Sequence, residues 1–317
     1  MKAVMKTQPT MNLTPTVKSI LSKYEGESAA VKENLARILM QGRLGGSGQM
    51  IILPVDQGFE HGPARSFAIN AAGYDPHYFY QLGIDADLSA YAAPLGALET
   101  GVDTFAGKIP LILKMNHGNS LNSNKTNPDQ AVVCSVRDAV RLGCSAIGFT
   151  LYNGSESYNA QMEELRDIIA EARSHGIASV VWCYPRGGVL PKEAETAVDV
   201  IAYAAHMACQ LGSHIIKVKL PSDVVWLEAA KKAYAEQKIP VATLADRVRH
   251  ITQACFNGRR MVVFSGGEAK DTASILDEMR AIKSGGGNGS IMGRNAFQRP
   301  RAEALKLFDD MISILRA

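Results

Sequence analysis

One pattern recurs along this chain: a short apolar run closes on residues able to do chemistry, and then on Gly, Pro or Ser. MIILPVDQG (50–58) is the first instance and DLSAYAAP (87–94) a weaker second. PLILKMNHG (110–118), SAIGFTLYNGS (145–155), IASVVWCYPRG (177–187), SHIIKVKLP (213–221), RMVVFSGG (260–267) and GSIMGRN (289–295) follow. Runs of this length suit strands covered on both faces, as parallel sheets are. Most gaps between them hold a helix-period segment, and SVRDAVRLG, QMEELRDIIAEARSHG, AVDVIAYAAHMACQLG and TASILDEMRAIKSGG each end in Gly, the usual residue past a helix. The alternation predicts an α/β chain. Polar residues at the C-terminal end of nearly every run favour a closed (β/α)8 TIM barrel, because an open doubly wound sheet gathers its ligands at one switch point. The long crossover at about 222–259 is expected to hold two helices.

Ahead of the first strand, TPTVKSILSKYEG and ESAAVKENLARILMQG also carry helical spacing, with Thr14 or Thr16 as a cap and a stop at Gly42. Residues 1–46 are therefore expected to form an N-terminal helical extension, and 47–317 the catalytic barrel. The chain is 46% hydrophobic and 21% charged, ordinary for a globular protein. No apolar stretch approaches the roughly 20 residues of a membrane helix, and the first residues lack a signal-peptide core. A cytoplasmic location and no membrane partner are expected. Cys134, Cys144, Cys183, Cys209 and Cys255 are odd in number and lack CxxC spacing, so reduced thiols are expected. A net charge of +3 without a basic, aromatic-interleaved run argues against nucleic acid. The histidines are scattered, and GGGNG (285–289) reads as a turn rather than a dinucleotide fingerprint. No metal and no cofactor are expected.

The strand HIIKVKLP carries Lys217 and Lys219 among apolar neighbours. Residues i and i+2 share a face, so both ammonium groups point the same way, Lys217 deeper and Lys219 nearer the mouth. Burial and a neighbouring cation both favour the neutral, nucleophilic amine. Two structural ion pairs are the competing reading. Two lysines on one interior face are costly without a purpose, which tips the balance toward function. In VVWCYPRGG, Trp182, Tyr184 and Arg186 alternate in the same way. Tyr184 can move a proton and Arg186 can hold a phosphate or carboxylate, whereas Trp182 by itself reads as barrel filler. Asp56 ends the first strand as a candidate general base, and Lys114 on LILKMN either balances it or binds phosphate. Ser265, Gly266 and Gly267, with Gly293 and Arg294, end the last two strands, where barrels commonly hold phosphate.

Taken in order, PVDQGFEHGP, LILKMN, AIGFTLYNGS, VVWCYPRGG, SHIIKVKLP, FSGG and MGRN resemble the archaeal-type class I fructose-bisphosphate aldolases, including the bacterial DhnA-like proteins. The resemblance runs from about residue 48 to 300. It implies Lys217 as the Schiff-base nucleophile, Tyr184 as proton donor and acceptor, and Asp56 as an aid to proton transfer. It further implies that Trp182 lines the pocket. Ser265, Gly266, Gly267, Gly293 and Arg294 would hold the phosphate beside the ketone, Lys219 and Lys114 would act as supporting cations, and Arg186 would meet the distal phosphate. Gln57 and Asn153 depart from the residues archaeal forms often carry there, and neither removes a catalytic group. A small-molecule sugar phosphate is the implied partner, and a homo-oligomer the implied assembly. The alternatives are a transaldolase-like or aminodeoxyheptulosonate synthase-like enzyme on another sugar phosphate, a metal-dependent aldolase, and a non-catalytic sugar-phosphate-binding barrel.

Overall fold

The computed structural model describes residues 11–121, 127–266 and 270–317. Eight parallel strands close a barrel in sequence order: β1 (Met50–Pro54), β2 (Ala90–Ala93), β3 (Leu111–Lys114), β4 (Ala146–Leu151), β5 (Ala178–Cys183), β6 (Ile215–Lys219), β7 (Met261–Ser265) and β8 (Gly289–Ile291), with β8 pairing back to β1. Every apolar run named above forms one of these strands. The crossover after β6 holds two helices, Glu228–Glu236 and Leu244–Ala254, as its length implies. Two features have no counterpart in the sequence reading. Short helices at Gln57–His61 and Pro63–Phe67 follow β1, and a two-stranded antiparallel ribbon pairs Asn116–His117 with Ala131–Val132.

Strand alternation sorts the barrel's apolar residues into two clusters. Ile51, Leu53, Leu113, Ile147, Val181 and Ile216 face outward against the helices. Met50, Ile52, Ile112, Val180, Trp182 and Ile215 fill the interior. The interior cluster continues into α1 (Pro15–Ser22) and α2 (Ala29–Met40) through Val17, Leu35 and Leu39, and into the turn between them through Tyr24. These helices start at Thr14 and Ser28, whose hydroxyls accept from Val17 N and Val31 N. The segment between them is pinned beneath the barrel. The Tyr24 hydroxyl donates to His214 O at 2.6 Å, and Glu27 lies 3.1 Å from His214 Nε2 and 2.8 Å from Arg173. Ser179 N–H donates to His214 Nδ1, which fixes that nitrogen as the acceptor and leaves the proton on the side facing Glu27. Burial alone would raise the Glu27 carboxyl, but His214 and Arg173 bring it down to about 2.

Gly148 makes room for the largest interior side chain. A Cβ there would lie 2.6 Å from the Trp182 ring, which is itself 2% exposed. We expect Gly148→Ala to displace the indole and to destabilise the barrel by about 1–3 kcal/mol, the usual cost of overpacking. Thermal unfolding and a changed Trp182 fluorescence would read this out. An unchanged melting temperature would mean that the ring has slack the packing does not reveal.

Candidate active site

The strand phase that buries Ile215 brings Lys217 and Lys219 to the same interior face. Lys217 is 5% exposed, while the Lys219 side chain, one layer up, is 18% exposed. β5 lies beside β6 in the register Trp182↔Lys217, so the two side chains meet. The Lys217 ammonium lies 5.5 Å from the Trp182 ring centroid and 4.8 Å from that of Tyr184, and it donates a hydrogen bond to the Tyr184 hydroxyl. Burial is the largest influence on this lysine and pulls it down. Asp56 and Glu60 resist, Lys114 and Arg186 add to the lowering, and the outcome is about 7. Burial also pushes the Tyr184 phenol well up, with Arg186 opposing, so Tyr184 carries its proton at neutral pH.

These groups open into a cavity of about 460 Å³ at the C-terminal end of the strands. Tyr184, Arg186, Lys217, Lys219, Ser265, Gly266, Gly293 and Arg294 all line it. Gly293 is needed for close approach, because a Cβ there would sit 3.1 Å from Pro54 O. Arg294 has no ion-pair partner among the described residues. Gly267 lies outside the described residues. A larger cavity, about 790 Å³, opens at the opposite end near Phe105, Pro110 and Arg141 and holds none of the predicted residues.

Three predicted residues sit differently from the rest. Trp182 and Lys114 lie beneath the cavity rather than on its wall. Lys114 forms no ion pair with a carboxylate among the described residues. Its ammonium donates to the Asn116 side-chain oxygen at 2.8 Å, to Gln130 Oε1 at 3.2 Å and to the Asn116 carbonyl. Amide oxygens hold this cation directly, 5.9 Å from the Trp182 ring centroid, and Asp56 supports it by charge alone. Burial brings it down to about 8 against Asp56 and Glu60. Asp56 precedes the short helix at Gln57–His61 and acts on Lys217 and Tyr184 through its charge, without being a wall residue.

The sequence reading missed Glu195 and Lys192, both on the cavity wall. Glu195 Oε2 lies 2.9 Å from Lys219, 3.3 Å from Lys192 and 3.5 Å from Arg186. Burial raises this carboxyl, but the three cations, Lys219 foremost, hold it below the usual carboxylate range. Lys270 also lines the cavity and pairs with Glu278.

A closed parallel barrel whose mouth presents a near-neutral lysine against a protonated tyrosine and a cationic wall is the architecture a Schiff-base lyase requires. Comparison with known proteins is more specific. The family model described as DeoC/LacD family aldolase matches residues 50–299, and the chain belongs to that family. It is 35% identical over 292 residues to a probable fructose-bisphosphate aldolase class 1 of Chlamydia trachomatis, covering 88% of this chain and 82% of that one. It is 35% identical over 260 residues to the fructose-bisphosphate aldolase class 1 of Thermoproteus tenax, covering 82% and 86% respectively. A solved Schiff base-forming fructose-1,6-bisphosphate aldolase superposes with a TM-score of 0.73 at 30% identity, over 89% of this chain and 99% of that one.

Proposed function

We propose that the protein is a class I fructose-bisphosphate aldolase that reversibly cleaves fructose 1,6-bisphosphate to dihydroxyacetone phosphate and glyceraldehyde 3-phosphate. The observation that carries this reading is the Lys217–Tyr184 contact on the floor of a cavity rich in cations. Arg186, Lys192, Lys219, Lys270 and Arg294 line it, and Glu195 is the one carboxylate among the described lining residues. Such a wall suits a substrate with two phosphates.

In this reading the neutral Lys217 amine attacks the C2 ketone to give a carbinolamine, and loss of water leaves an iminium. The C4 hydroxyl gives its proton to Asp56 or to a water that Asp56 orients. The C3–C4 bond breaks, glyceraldehyde 3-phosphate departs, and the bond's electron pair runs into the iminium as an enamine. Tyr184 then protonates C3, and hydrolysis frees dihydroxyacetone phosphate and regenerates the amine. Ser265, Gly266, Gly267, Gly293 and Arg294 hold the phosphate beside the ketone, and Arg186 with Lys219 meets the distal one. The same groups run the condensation in reverse. The family resemblance read from the sequence supports a homo-oligomer in the cytoplasm.

Borohydride reduction in the presence of dihydroxyacetone phosphate tests the covalent step. The expected result is irreversible inactivation with a single reduced triose-phosphate adduct on the peptide containing Lys217. Demonstrated binding of the ligand without any adduct would remove the Schiff-base reading. The pH profile adds an independent check. Lys217 attacks only when deprotonated and titrates at about 7, so kcat/KM should rise by about tenfold per pH unit below that value and level off above it. A flat profile between pH 5.5 and 8 would contradict this assignment. A protein of Methanocaldococcus jannaschii, 27% identical over 278 residues, is described as a fructose-bisphosphate aldolase/6-deoxy-5-ketofructose 1-phosphate synthase. This makes a related sugar-phosphate condensation the second reading, which product analysis with other aldehydes would reveal.

A further inference from the structure

Three cationic side chains from separate parts of the fold converge on one oxygen atom. Lys219 comes from the inner face of β6, Arg186 from the loop after β5, and Lys192 from the 3-10 turn Lys192–Thr196. Glu195 Oε2 accepts hydrogen bonds from Lys219 at 2.9 Å and Lys192 at 3.3 Å, and Arg186 Nε stands at 3.5 Å, an ion-pair distance. The Glu195 side chain is only 11% exposed and lines the cavity. Long basic side chains lose up to about 2 kcal/mol of rotamer freedom each when fixed, and like charges brought together repel. A single buried carboxylate removes both obstacles before any ligand arrives. It also leaves the cluster with two positive charges in excess, which matches a phosphate dianion.

We propose that Glu195 is a positioning residue that makes the enzyme select sugars with a second, distal phosphate. It does so by gathering Lys192, Arg186 and Lys219 into a preorganised dianion site. This inference rests on the aldolase reading above. Removing the charge makes the site more positive overall, which on its own would strengthen anion binding. Preorganisation outweighs that gain, because cations on flexible stems are screened by water once they splay apart, whereas cations held at fixed distance in a half-closed cavity are not.

The test compares fructose 1,6-bisphosphate with fructose 1-phosphate, which keeps the phosphate beside the ketone and lacks the distal one. In Glu195→Gln, KM for the bisphosphate should rise roughly tenfold or more with kcat changed far less, the scale of losing hydrogen bonds to a charged group. The kcat/KM for fructose 1-phosphate should hardly move, so the preference for the bisphosphate collapses. Glu195→Asp, which keeps the charge, should restore part of that preference. Lys192→Ala, at a side chain 76% exposed whose loss cannot unfold the barrel, should give a smaller loss of the same selective kind. Equal loss with both sugars, unchanged kinetics, or a lower KM for the bisphosphate would overturn the proposal. If the native protein cleaves neither sugar, the functional reading fails separately. Calorimetric titration with inorganic phosphate then still decides the point: weaker binding by Glu195→Gln supports the dianion site, and equal binding removes it.

Discussion

Lys217→Met is expected to abolish cleavage and the borohydride adduct together, while making the protein more stable. Loss of a covalent nucleophile typically costs on the order of 10⁵-fold or more in kcat, because no other group opens the same route. The neighbouring Lys219 does not replace it. Lys219 is tied to Glu195 and lies one layer nearer solvent. The stability effect has the opposite sign. In the folded chain Lys217 titrates at about 7 against an ordinary 10.5. Below pH 7 both states carry the proton, so the native state holds a buried ammonium at full cost. Between 7 and 10.5 the unfolded chain binds more protons than the native one, so stability climbs with pH as the cost is relieved. Well above 10.5 both are neutral and the cost is gone. A buried Met removes a penalty of a few kcal/mol at low pH and leaves the Tyr184 hydroxyl without its partner, a loss of about 1 kcal/mol. The variant should therefore melt higher than the native protein at pH 6.5, with the gap narrowing toward pH 9.5. A variant that melts lower at both pH values would mean that Lys217 is held by stabilising contacts and is not poised as a neutral amine.

The same burial explains why so much of the barrel could be read from the sequence. A parallel strand is covered on both sides, so it appears as an unbroken apolar run, and even the weak DLSAYAAP run becomes β2 at Ala90–Ala93. The two-residue period then placed Lys217 beneath Lys219, and Trp182 on the same face as Tyr184. Contacts that depend on loops left no such trace. Glu195 reaches the site from a turn whose apolar and polar residues have no period, so nothing in KEAET distinguishes it from Glu193, which is exposed. Gln130 meets Lys114 because the ribbon pairing 116–117 with 131–132 brings it back beside the end of β3. Without that ribbon in view, Asp56 and a substrate phosphate were the partners the sequence offered for Lys114. The meeting of Lys217 with Tyr184 likewise required the register between β5 and β6, which neither strand encodes alone.

Tyr184→Phe should separate the covalent step from the proton transfer. The phenol oxygen touches Lys217 Nζ, so once the amine has become an iminium it lies within reach of the carbons one and two bonds away. C3, where the enamine takes its proton, is one of these. Burial keeps the phenol protonated at neutral pH, as a proton donor must be. Phenylalanine preserves the ring beside Lys217 and Arg186 and deletes only the hydroxyl. Loss of a positioned acid or base typically costs about 10²–10⁴-fold. We expect turnover of fructose 1,6-bisphosphate to fall by that amount, with exchange of the C3 proton of dihydroxyacetone phosphate for solvent deuterium falling in parallel. Lys217 should still form an adduct trappable by borohydride, since its amine remains buried and near neutral. Removing the hydroxyl also takes away a hydrogen-bond acceptor that favours the ammonium, so the rising limb of the pH profile should move slightly to lower pH. Retained deuterium exchange would transfer the proton to another group, with Asp56 the first to examine by Asp56→Asn. Loss of the adduct as well as the exchange would instead assign Tyr184 to carbinolamine dehydration, a step the two measurements together distinguish from enamine protonation.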